Sequence, residues 1–131
     1  MVHPGGMDTA MTWEVAIERG FTATHAVTVN GVPETPHAHD WKVTVVVRGT
    51  SLDADGLLVD FLDLERRVDA AILPLRNTDL NTSEVLLGSN PTAERVAAYI
   101  ASCMHDDFPN AAALAAVRVT EAPGCTATCI P

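Results

Sequence analysis

The stretch HAHDWKVTVVVRG (37–49) constrains the chain more than any other. Trp41, Val43, Val45 and Val47 alternate with Lys42, Thr44 and Arg48 up to Gly49, the period-two pattern of a half-buried strand. If the strand begins at the histidines, His37 and His39 lie on one side of it, because strand side chains alternate. Two imidazoles about 6–7 Å apart at the Cα and facing the same way can close on one metal ion.

The segment before it also reads as extended. Trp13, Val15 and Ile17 alternate, and Phe21 follows Gly20, which predicts a long first strand with a bulge near the glycine. That strand runs through FTATHAV (21–27) and carries His25. VNGV (29–32) holds an Asn-Gly turn signal, although Pro33 and Pro36 suggest a connection longer than a tight hairpin. Consecutive strands joined this way pair antiparallel and bring His25 toward His37 and His39. Three histidines with no fourth protein ligand describe an open, catalytic zinc site.

After Gly56 the period changes. Asp60 is placed to cap a helix in which Phe61, Leu64, Val68, Ala71 and Leu75 turn inward. Asn90-Pro91 opens a second helix with Val96, Ala97, Ile100 and Met104 inward. Val117 and Val119 mark a third strand, and CTATCI (125–130) a fourth beyond Pro123-Gly124. The expected architecture is α+β, a four-stranded antiparallel sheet with two helices on one face in the order ββααββ. Residues 1–11 read as a flexible extension and 12–131 as one domain.

Composition excludes several functions. The net charge of −9 argues against a nucleic-acid partner. No apolar run approaches the roughly 20 residues that span a bilayer. The first residues lack the basic start and apolar centre of a signal peptide, so a cytoplasmic protein is expected. Three cysteines without a C-x-x-C read as small buried hydrophobes. The strands carry little charge or proline to protect their edges, and a homo-oligomer is expected.

Five segments, taken in order, resemble the 6-pyruvoyltetrahydropterin and 6-carboxytetrahydropterin synthase family. They are FTATHAV, HAHDW, DGLLVDFLDLERRV, NPTAERVAAYI and VRVTEAPGCTA. The resemblance implies the tunnelling fold, a barrel closed by several subunits (a hexamer or another multiple of two or three), and a pterin substrate. It implies zinc ligands at His25, His37 and His39, a pterin anchor at Glu121, and further pterin contacts at Thr92 and Glu94. Thr92 and Glu94 also suit a helix N-terminus on their own account.

Two positions depart from the family pattern. The cysteine expected before the paired histidines is absent, and Glu34 stands three residues before His37. A subgroup with a glutamate there yields 6-hydroxymethyldihydropterin, and a carboxylate near a metal can act as general base. Arg76 and Asn77 replace the family's Asp-His pair, and neither can relay a proton. The expected activity is a zinc-dependent lyase acting on the side chain of a dihydroneopterin or its triphosphate. The alternative is a zinc-containing pterin or purine binder without turnover.

Overall fold

The computed structural model describes residues 11–104 and 108–131; the expected extension, apart from Met11, lies outside them. Strands β1 (Trp13–His25), β4 (His37–Gly49), β5 (Ala113–Ala122) and β6 (Cys125–Cys129) form one antiparallel sheet in the order β1-β4-β5-β6. Between β1 and β4 a small ribbon of β2 (Thr28–Val29) and β3 (Val32–Pro33) projects. Helices α1 (Phe61–Ile72) and α2 (Ala93–Cys103) complete the expected ββααββ order, with β2 and β3 as an added ribbon.

The valine alternation forms the core. Val43, Val45 and Val47 are fully buried together with Val117 and Val119 of β5. Helix α1 lies against β1, and α2 against β5 and β6. Asp60 caps α1 by accepting the Leu62 N–H at 2.9 Å, a contact that satisfies one of the helix's orphan donors. Tyr99 links the helices by donating its hydroxyl to the Ala71 carbonyl at 3.0 Å. Burial, then Cys103, pushes its pKa up to about 12.

Several details differ from the sequence expectation. The β1–β4 register is unbroken from Trp13↔Gly49 to His25↔His37, so β1 has no bulge. What interrupts its apolar pattern is Arg19, on the helix-facing side, where its guanidinium reaches Glu65 at 2.5 Å and Asp69 at 2.9 Å of α1. Bulges occur instead at Val46/Val47 and Thr120/Ala122. The Asn-Gly turn closes a tight two-residue loop, with positive φ at Asn30 (51°) and Gly31 (78°), as this hairpin type requires.

Phe61, expected inward, is 53% exposed, because α1 turns Leu64, Val68, Ala71 and Ile72 to the core. The second helix begins two residues later than read, with Thr92 as its cap and Pro91 before it. The cysteines are not buried: Cys103, the last residue of α2, is intermediate, and Cys125 is exposed and Cys129 intermediate, since β6 is an edge strand. The other edge is partly covered. Thr24 N–H donates to the Thr78 carbonyl at 3.0 Å and Asn77 N–H to the Thr22 carbonyl at 2.7 Å.

Candidate metal centre and cleft

The far end of the β1–β4 pair carries the site. His25 and His37 are directly opposed, and His39 opposes Ala23, so all three imidazoles stand on one face of the sheet. Their candidate ligand nitrogens all lie within 4.8 Å of one another. The rings meet edge-on, with centroids 4.5–5.4 Å apart. The cluster rests on the core, as His25 packs edge-on against the buried Trp41 ring at 4.9 Å. The Trp41 indole N–H in turn donates to the Ala23 carbonyl at 3.2 Å.

Two of the rings are oriented by backbone carbonyls. His25 Nδ1–H donates to Pro91 and His37 Nδ1–H to Thr35, each at 2.8 Å. That assigns the proton to Nδ1 and leaves the Nε2 lone pair free, the arrangement a metal-ligating histidine needs. His25 is completely buried. The Nε2 atoms of His25 and His39 are buried without a hydrogen-bond partner. A buried polar atom left this way is costly, and a cation shared among three nitrogens removes the cost. The residues therefore fit a metal ion such as the zinc that the family resemblance implies, with three nitrogen ligands.

Two carboxylates approach the cluster from different elements. Glu121, on β5, places Oε1 2.8 Å from His25 Nε2 but outside hydrogen-bond geometry. Glu34 places Oε1 3.6 Å from His37 Nε2. The same Glu34 oxygen accepts the Val27 N–H at 2.9 Å, and the Glu34 N–H donates to the Val27 carbonyl at 3.0 Å. Both glutamates line a cleft of about 840 Å³, and so do Thr92 and Glu94 at the start of α2. The Thr92 hydroxyl accepts the Arg95 N–H at 3.1 Å, so it caps the helix as well as facing the cleft. The structure thus brings together all seven residues singled out in the sequence.

Sequence reasoning missed two supports. Asn90 grips Thr28 by accepting its N–H and donating to its carbonyl, both at 2.9 Å. Asn81 grips Ala26 in the same manner at 2.7 and 2.8 Å. Each amide imitates a neighbouring strand and holds the segment that follows His25. Arg76 and Asn77 are exposed and stand with Thr22 and Asp40 in a separate recess.

Fold and site together define a small α+β protein whose four-stranded antiparallel sheet ends in a three-histidine centre beside an acid-lined cleft. The pattern of the 6-pyruvoyl tetrahydropterin synthase family matches residues 14–131, and the chain belongs to that family. A dihydroneopterin monophosphate aldolase from Pyrococcus furiosus is 30% identical over 99 residues, 76% of this chain and 81% of that protein. The 6-pyruvoyl tetrahydropterin synthase of Caenorhabditis elegans superposes with a TM-score of 0.79 at 18% identity, covering 92% of this chain and 96% of that one. The Plasmodium vivax enzyme gives 0.72 at 21% identity, with 91% and 97% covered. Two further structures of that parasite protein are of variants at a catalytic glutamate.

Metal content tests the centre. Protein purified without chelators is expected to hold about one zinc per chain, and His37→Ala or His39→Ala to lose most of it. Elemental mass spectrometry reads both, and zinc unchanged in the two variants would contradict the centre.

Proposed function

We propose that the protein is a zinc-dependent lyase that cleaves the side chain of a dihydroneopterin, free or phosphorylated, to 6-hydroxymethyldihydropterin. The observation that carries this is the pair Glu34 and Glu121, which reach from the cleft wall to two different histidines. A zinc ion held by His25, His37 and His39 would polarise the side-chain oxygens as a Lewis acid.

The chain's own residues do the rest. Glu121 accepts paired hydrogen bonds from the ring amino group and the adjacent N–H, a charge-assisted contact that fixes a flat heterocycle. Thr92 and Glu94 border the same cleft and give the ring further polar contacts. Glu34, held by Val27, takes the proton from the hydroxyl beside the carbon–carbon bond that breaks. The bond's electrons pass into the ring imine next to the side chain, and a proton returns to the ring-side carbon. A two-carbon hydroxyaldehyde, or its phosphate ester, leaves. Carbon–carbon cleavage agrees with the aldolase name of the Pyrococcus furiosus relative. A catalytic glutamate in the Plasmodium vivax protein supports a carboxylate as base.

A second reading, a zinc-containing pterin or purine binder, is favoured by Arg76 and Asn77, which cannot relay protons. Binding and turnover separate the two. Glu34→Gln is expected to bind dihydroneopterin nearly as well as wild type but to lose about 10²–10⁴-fold in turnover. Glu121→Gln is expected to weaken binding roughly ten- to a hundredfold, since an amide donor then faces ring donors. Calorimetric titration and product chromatography measure these. Tight binding by wild type with no product from either the free or the phosphorylated compound would establish the binder instead.

We also propose a homo-oligomer joined through sheet edges, because among the described residues the outer edge of β1 is covered only near Thr22 and Thr24 and an open edge invites pairing. Light scattering at micromolar concentration is expected to give a multiple of the 13.9 kDa chain mass; a stable monomer would contradict it.

A further inference from the structure

We infer that Asn90 is a positioning residue for Glu34: its side-chain amide holds the stretch of backbone that aims the proposed base, an inference that rests on the lyase reading above. The basis is a run of contacts that engages both main-chain groups of three consecutive residues. Asn81 takes the N–H and the carbonyl of Ala26. Asn90 takes those of Thr28, each at 2.9 Å. Val27, between them, gives its N–H to Glu34 Oε1 at 2.9 Å and takes the Glu34 N–H on its carbonyl at 3.0 Å. All six hydrogen bonds lie within one chain.

The pleat explains the arrangement. In a paired extended segment the main-chain groups of successive residues face opposite sides. Val27 faces Glu34 at the foot of the ribbon, one pair below Thr28↔Pro33. Thr28 therefore faces outward, and without Asn90 its N–H and carbonyl would be left to water. The asparagine amide offers an acceptor and a donor side by side, as a peptide on a third strand would. Asn90 is itself fixed. Its carbonyl accepts the Thr92 N–H at 2.8 Å at the cap of α2, and the carbonyl of its neighbour Pro91 orients His25. One dipeptide thus ties the ring of a candidate metal ligand to the backbone that holds the base. Glu34 Oε1, the oxygen on the Val27 N–H, is also the one 3.6 Å from His37 Nε2. Releasing Thr28 loosens Val27 and lets that oxygen drift, and a displacement of about 1 Å can cost roughly 10²-fold in rate. Asn90 also borders the cleft, so direct contact with the substrate is the competing role.

The test compares zinc-loaded wild type, Asn90→Ala and the isosteric Asn90→Asp on dihydroneopterin or its 3′-monophosphate, whichever the wild type converts faster. Asn90→Ala is expected to lower kcat about 10- to 100-fold, with the dissociation constant and the zinc content unchanged. Asn90→Asp keeps the acceptor but loses the donor. It is expected to lower kcat about tenfold, and it stands in should the alanine variant not fold. In the Glu34→Gln background Asn90→Ala is expected to slow turnover no further, since the group it positions is already gone. An unchanged kcat, weaker binding at unchanged kcat, loss of zinc, or an equal loss of turnover in both backgrounds would overturn the inference and leave the lyase standing. Should the wild type convert neither compound, the lyase reading falls, and hydrogen exchange of the Val27 amide decides. Exchange about tenfold or more faster in Asn90→Ala upholds the hold on Glu34; unchanged exchange overturns it.

Discussion

The pairing of β1 with β4 is the constraint on which everything else depends. Its register sets His25 against His37 at one end and Trp13 against Gly49 at the other. Slipping that register by one residue would turn every side chain of one strand to the opposite face. The buried valines would meet solvent, and His25 would part from the other two histidines. Core and candidate metal centre are therefore held by the same ladder. Hydrophobic burial of Val43, Val45 and Val47 holds the strand that carries His37 and His39. At the other end of the strands Gly49 lies in a close approach: a Cβ there would stand 2.6 Å from Leu58 Cδ1 and 3.3 Å from Ala112, so those neighbours would have to shift.

The site grades from dry to wet over a few side chains. His25 is sealed by Trp41 and Pro91, while His37 is partly open with a side chain 36% exposed. Glu34 and Glu121 sit at that boundary, one on the loop before β4 and one on β5. A rigid sheet orients the nitrogens, and the loop carries the proposed base. The loop is not left free. Asn81 and Asn90 each bond both the N–H and the carbonyl of one residue, so the segment after His25 is held almost as a strand would hold it. Precise positioning of this kind is what a proton transfer needs.

Much of this was legible because it is periodic. Alternation gave β4 and the shared face of its histidines, and threefold and fourfold spacing gave both helices. The order of five short motifs points to His25, His37, His39, Thr92, Glu94 and Glu121. Long-range polar contacts were not legible. The bulge expected near Gly20 gives way to Arg19, whose acceptors, Glu65 and Asp69, lie 46 and 50 residues away. Asn90 read as a helix opener because its grip on Thr28 spans 62 residues. Phe61 and the cysteines were misjudged for a simpler reason: hydrophobic character says what a side chain favours, not which face its element finally presents.

His25, His37 and His39, from two paired strands, stand where they could hold one metal ion, and zinc is the ion proposed for them. X-ray absorption at the zinc edge of the purified protein tests it most directly. The expected result is nitrogen and oxygen scatterers alone at about 2.0–2.1 Å, with outer features of about three imidazole rings. A sulfur scatterer near 2.3 Å would place the metal on a cysteine, and a shell with one imidazole or none would place it away from His25, His37 and His39; either result would contradict the account.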